Sequence, residues 1–399
     1  MHSHPRASRF LPPAGRFDEH SGWANAPFHS TYRSESPLGQ KFRNYSASWT
    51  GQRGYVDTAL DALAAPGASS EALKLHAAIR NAIAAALPTK MPPPGFMHLQ
   101  NVAGVVSVGG CDVHLRQSPA AVMKVVCGGR EMVGASNGRA SAGPLLAYHY
   151  NSLNGSDYLQ FRSQYATTNT RAYGKANLTN DTCASDMGCA VSSGEQGWPT
   201  TISSVYISTQ NTSVVIQVDV PGVAVSDYGA CQHVFVEVAP SVVAPGAVKL
   251  AVDVTTVGKT PTRIPEFQRL TFSPAAVAAV QVDKLGTQVD ALDVVSAGGV
   301  HLHGVGAGGV ALQLQAGTQV RAISIDTSLV SVGRATAFPT PLTPLVTGEM
   351  ESGVHFVIHD NLWDTNYPAW YPWLEGVDAQ SQMGSGDDLF RFTFEYGPA

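Results

Sequence analysis

Val205-Tyr-Ile-Ser-Thr-Gln-Asn-Thr-Ser-Val-Val-Ile-Gln-Val-Asp-Val220 reads as two strands folded back on one another. Val214, Ile216, Val218 and Val220 alternate with Val215, Gln217 and Asp219, the period of a strand with one face turned inward, and Gln210-Asn-Thr212 supplies the turn. The same period recurs downstream. Val234, Val236 and Val238 form one inward set, Leu250, Val252 and Val254 another, and Val354, Phe356 and Ile358 another, before Phe390, Phe392, Phe394 and Tyr396 close the chain. Gly, Pro and Asn loops separate these runs and few helical periods intervene. Stacked antiparallel sheets are therefore expected rather than βαβ units: a mainly β fold, with a large antiparallel β-sandwich over 92–399.

Upstream the period changes. Trp49, Gln52, Val56, Ala59, Leu60 and Leu63 recur at three and four, which draws an apolar stripe along a helix ending near Pro66-Gly67. Ser69 or Ser70 can cap a second helix, along which Leu75, Ile79, Ile83 and Leu87 lie four apart until Pro88 stops it. The spacing predicts a helical hairpin over 47–91 with one apolar face that needs a partner. Pro92-Pro-Pro-Gly95 forbids helix and reads as a stiff linker. Residues 1–46 carry no sustained period and read as an irregular lead-in, the remnant of an upstream region.

Composition narrows the partners. With 25 Lys plus Arg, scattered along a chain of net charge -5, there is no basic stripe for nucleic acid. No apolar run reaches the roughly 18 residues that a spanning helix needs, so no membrane span is expected. Asn44, Asn154, Asn177, Asn180 and Asn211 each open an Asn-x-Ser/Thr triplet, a formal glycosylation acceptor. Cys183 and Cys189 flank a short polar loop and are the candidate disulfide; Cys111 and Cys127, in no Cys-x-x-Cys pair, read as buried thiols. The triplets and the candidate disulfide fit a lumenal or secreted chain with an export signal upstream. Without such a signal the chain is cytoplasmic.

Thr260-Pro-Thr-Arg-Ile-Pro-Glu266 and Val354-His-Phe-Val-Ile-His-Asp-Asn-Leu-Trp-Asp-Thr-Asn-Tyr-Pro368 resemble the family catalogued as domain of unknown function 5054, itself similar to family 38 α-mannosidases. Gly143-Pro-Leu-Leu-Ala-Tyr-His-Tyr150, Asp157-Tyr-Leu-Gln-Phe161, Asp283-Lys-Leu-Gly286, Asp290-Ala-Leu-Asp-Val-Val-Ser296 and His301-Leu-His-Gly304 fall in the same order, so the resemblance spans about 100–399. It implies a galactose-mutarotase-like supersandwich behind helices, with a zinc-bearing β/α catalytic domain upstream of both. It implies further that the chain is the C-terminal region of a glycoside-hydrolase-like protein, without the domain that does most of the chemistry and inactive alone. The alternative is a carbohydrate-binding or structural sandwich. The resemblance implies zinc in the complete protein and assures none in this chain. Asp18-Glu-His-Ser-Gly-Trp23 resembles that family's Glu-His-Thr-Trp element, interrupted by Gly22, and makes His20 the metal candidate carried over.

The residues themselves identify no pair of catalytic carboxyl groups. Asp360 and Asp364, which bracket Trp363, are the most suggestive acids, while Glu266 reads as the structural partner of Arg263. Trp363, Tyr367, Trp370, Tyr371 and Trp373, stiffened by Pro368 and Pro372, either present stacking faces to a sugar or fold over the sandwich edge as core. His301 with His303, and His355 with His359, fall on common strand faces by period two. Each is an incomplete zinc shell and reads better as core or solvent-facing histidine. The glycine-rich run 304–309 lacks the Lys-Ser/Thr of a phosphate loop and reads as a strand connection.

Overall fold

The computed structural model describes residues 54–86, 88, 90–100, 104–135, 143–153, 196–259, 266–293, 301–337, 345, 347–361 and 387–398. The chain divides into two compact units, one holding the helical hairpin and the other the sheets. The lead-in 1–46 lies outside the described residues.

In the helical unit, α1 runs through 54–63 and α2 spans Ser70–Ala86. Ser69 is the cap: its Oγ accepts the Ala72 backbone N–H at 3.2 Å, satisfying one of the donors a helix start leaves free. Asp57 and Asp61 lie one turn apart on α1, so a single Arg80 guanidinium on α2 reaches both, at 2.6 and 2.9 Å. Leu60 is buried, whereas Val56, Leu73, Leu75 and Ile83 are exposed. Of the described residues of the apolar stripes drawn by the sequence, Ala59, Leu63 and Ile79 lie between these extremes, half-buried.

The strands of the second unit begin with β1 (Phe96–Leu99), β2 (Gly104–Val108), β3 (Cys111–Arg116), β4 (Ala121–Cys127), β5 (Arg130–Val133), β6 (Leu146–Ser152) and β7 (Gln196–Trp198). They continue with β8 (Thr201–Ser208), β9 (Val214–Asp219), a short helix α3 (Gly222–Tyr228), β10 (His233–Ala244), β11 (Ala247–Val257), β12 (Glu266–Phe272), β13 (Val277–Lys284) and β14 (Thr287–Asp290). The last are β15 (Leu302–Gly304), β16 (Val310–Leu314), β17 (Thr318–Ser324), β18 (Leu329–Val332), β19 (Val354–Asn361) and β20 (Asp388–Pro398). One sheet has the order β1-β8-β9-β10-β11-β20-β17-β16-β13-β14, the other β15-β18-β19-β12-β6-β4-β3-β2 with β5 on β4 and β7 on β6. Every strand pairing among the described residues is antiparallel. The expected mainly β sandwich is what forms.

The two sheets meet through aromatic rings. Phe272 of β12 stacks on Phe394 of β20 with centroids 4.1 Å apart, and Phe356 of β19 meets Phe392 of β20 edge-on at 5.2 Å. A cavity of about 20 Å³ beside this seam is lined by Val122, Leu146 and Tyr148 from one sheet and Ile216, Val218 and Val236 from the other. It has room for about one water molecule. The second sheet is also covered on its outer face, where Leu153, Phe267, Ala337 and Val357 cluster with Leu302 and Leu329 against them. Burial on both faces is why β12 shows no alternation in its sequence.

Two expectations are corrected by register. Cys111 and Cys127 are not thiols: antiparallel pairing of β3 and β4 sets them directly opposite, with Cα atoms 4.4 Å apart, and they form a disulfide. Cys231 is the free, buried cysteine among the described residues. His355 and His359 do not share a face. Thr271 pairs with His355 and Gln268 with His359, but the register shifts between Gln268 and Arg269, leaving Ile358 as an extra residue in β19. The inward set of β19 is therefore Val354, Phe356 and His359, with His355 turned the other way. The glycine-rich connection is as expected and has a packing reason: Cβ atoms at Gly306 and Gly308 would lie 2.5 and 2.7 Å from the Asp283 carboxylate. That carboxylate accepts the backbone N–H groups of Gly286 and Gly308 at 2.8 and 2.7 Å.

Candidate functional site

β12 enters the sandwich at Glu266, paired with Ser152 of β6 and Asn361 of β19; two residues on, Gln268 pairs with Tyr150 and His359. Period two puts Glu266, Gln268, Leu270 and Phe272 on one face, and the Phe272–Phe394 contact shows that face is the one turned to the other sheet. The inward row therefore begins in a carboxylate with no exposed surface. Lys259, just past the end of β11 in the facing sheet, brings Nζ to 2.6 Å from Glu266 Oε1, and His359 Nε2 stands 3.4 Å from the same oxygen. The lysine side chain is 10% exposed and the histidine 41%, so the cluster grades from a buried acid to a half-open imidazole.

Polar groups continue inward from it. Gln268 Oε1 accepts the Tyr148 hydroxyl at 2.9 Å and the Cys231 thiol at 3.5 Å. Tyr150 donates to the Tyr228 carbonyl at 3.2 Å, and Trp198 packs on the Tyr228 ring at 4.9 Å while its Nε1–H reaches Ser152 Oγ at 2.9 Å. Glu266 Oε2 and Gln268 Nε2 have no hydrogen-bond partner among the described residues.

The charges follow from this geometry. Burial pushes the Glu266 carboxyl up, but Lys259 and the His359 contact outweigh it and hold the group below the usual carboxylate value. Burial, and then the charge on Glu266, push the Tyr150 phenol far up, and burial pushes the Cys231 thiol up to about 12. The tyrosines and the cysteine are neutral donors around one ionised acid. An acid of this kind is neither a free nucleophile nor a proton donor. It orients Lys259 and His359.

The other histidines singled out in the sequence, His301, His303 and His355, are core. His355 Nε2 donates to the Gly333 carbonyl and Nδ1 accepts the Thr271 hydroxyl, each at 2.9 Å, so neither nitrogen is left for a metal. Burial and then the nearby Arg269 charge lower the pKa of His355 to about 4 and that of His149 to about 3. His301 and His303 are both buried. Among the described residues no group of three or more His, Cys, Asp or Glu side chains is placed to hold a metal ion.

Of the residues singled out in the sequence, Asp360 is a residue of β19, opposite Phe267. His20, Cys183, Cys189, Trp363, Asp364, Tyr367, Trp370, Tyr371 and Trp373 lie outside the described residues, as does Arg263. Glu266, read as the partner of Arg263, is paired among the described residues with Lys259 and His359. Lys259, Gln268 and the two tyrosines were not singled out. Tyr148 and Tyr150, two apart in a strand-like run, are the signal that points to them. No family model matches the chain, and no curated protein matches it.

Proposed function

We propose that the chain is a carbohydrate-binding β-sandwich of the kind found C-terminally in α-mannosidase-type glycoside hydrolases, and that it does not hydrolyse glycosides by itself. The ordered resemblance over about 100–399 and the two large antiparallel sheets support the first half. The observation that carries the second is the state of Glu266: fully buried, ionised and held by Lys259 at 2.6 Å. A retaining glycosidase needs one carboxylate free to attack and a second roughly 5 to 5.5 Å away to donate a proton. Glu266 does neither. The half-exposed His359 lies instead at the rim of a polar strand end, and the sequence beyond Asn361 carries Trp363, Tyr367, Trp370, Tyr371 and Trp373. Hydroxyl-seeking polar groups followed by stacking aromatics are what a sugar ring requires.

Calorimetric titration with methyl α-mannoside, on the parent and on Trp370→Ala, tests this reading, alongside an assay for aryl α-mannoside hydrolysis with zinc present. The expected result is saturable binding that weakens at least tenfold in Trp370→Ala, without turnover. Absence of binding by both proteins contradicts the binding role, and turnover contradicts the assignment of hydrolysis to another domain.

A further inference from the structure

We propose that Asn211 carries an N-linked glycan, acquired in an oxidising compartment. Asn211-Thr-Ser213 is an acceptor triplet, and Asn211 is exposed at the tip of the β8–β9 turn with φ 56°, a conformation that asparagine adopts more readily than most residues. The turn is well fixed. The Asn211 N–H donates to the Ser208 carbonyl at 2.8 Å, and the Ser208 hydroxyl accepts the backbone N–H groups of Thr212 and Ser213 at 2.8 and 3.1 Å. The backbone is thereby satisfied at a tip where an attached sugar meets solvent.

The second observation is the disulfide. Cys111 and Cys127 are joined across β3 and β4 and are both buried, so the bond is part of the core. Disulfides of that kind persist in the oxidising compartments where chains also receive N-linked sugars, and are rare where thiols are kept reduced. The two features are neighbours: the Gly109 N–H, two residues before Cys111, donates to the Asn211 carbonyl at 2.8 Å.

The transfer balances with an oligosaccharide carried on a lipid diphosphate as donor. The Asn211 amide nitrogen forms a bond to the anomeric carbon, the bond from that carbon to the diphosphate oxygen breaks, the lipid diphosphate leaves, and the amide loses one proton to solvent. The tip is also compatible with the proposed sugar-binding role. β9 runs from Val214 beside the turn to Asp219, and antiparallel pairing puts Asp219 at the end of the sheet where β10 starts and β11 runs out toward Lys259. Six residues of strand separate the two ends by roughly 20 Å.

The test uses the full chain isolated from cells that make it, alkylated without reduction, digested and read by mass spectrometry before and after peptide N-glycosidase. The expected result is a Cys111–Cys127 cross-linked peptide, and a peptide containing Asn211 that appears only after deglycosylation, with the asparagine converted to aspartate. Asn211→Gln is expected to remove the mass of one glycan from the intact protein. An unmodified Asn211 peptide before deglycosylation, or free alkylated Cys111 and Cys127, overturns the proposal. Mannoside binding is unaffected by either result, so the two readings fail separately.

Discussion

The two ends of β12 face the same interior and are built on opposite principles. At one end Phe272 lies against Phe394 and Phe356 against Phe392, an apolar seam in which each ring contributes about 1.5 to 3 kcal/mol by leaving water. At the other end Glu266 is buried as an ion and kept so by Lys259 and His359. A well-packed hydrophobic replacement of a buried ion pair is often neutral or stabilising, so folding alone does not call for charge there. The difference separates what holds the sheets together from what the chain presents at the sandwich end.

The comparison breaks most readily at the seam. Phe394→Ala is expected to lower unfolding stability by about 3 to 5 kcal/mol, because a fully buried ring leaves a cavity between sheets that are pinned by their own hydrogen bonds. Urea unfolding reads it, and a loss below about 1 kcal/mol would mean the seam is not the core. At the charged end, Lys259→Met is expected to cost about 3 kcal/mol by leaving Glu266 uncompensated, whereas Lys259→Met with Glu266→Leu is expected to recover most of the loss. If the double variant is as unstable as the single, the pair is needed for folding and the contrast fails.

Acid gives a third, comparable effect. His355 has a folded pKa near 4, below its ordinary value of 6.5, so the unfolded chain binds the extra proton first as pH falls. The stability linked to this histidine is complete above pH 6.5 and is lost progressively toward pH 4, by about 3 kcal/mol in all. His149 acts in the same direction. Unfolding midpoints at pH 7 and pH 4.5 check it; equal midpoints would contradict the buried, neutral assignment. The smallest effect is expected in the helical unit, where Arg80→Ala removes exposed ion pairs to Asp57 and Asp61. A change in thermal midpoint too small to resolve is the predicted outcome.

Strands with one covered face were legible in the sequence, as Val234, Val236 and Val238 or Leu250, Val252 and Val254 show by being buried together. The second helix was legible through Ser69. β12 was not, because a strand covered on both faces carries no alternation, and its Glu266-Phe-Gln-Arg-Leu-Thr-Phe272 reads as mixed polarity. Pairwise facts were hidden for a related reason. The Cys111–Cys127 bond depends on the β3–β4 register, and the split of His355 from His359 depends on the extra residue at Ile358. The site suffered most. Lys259 lies seven positions upstream of Glu266, and Arg263 is nearer in sequence, so the ion pair is a product of the fold.

Hydrogen exchange with methyl α-mannoside present tests most directly whether the charged end is the binding end. Slowed exchange is predicted at the start of β12 around Glu266 and Gln268 and at the end of β19 around His359, with none at Phe272 and Phe394. Protection confined to the β8–β9 turn, or no protection anywhere at saturating sugar, would contradict it.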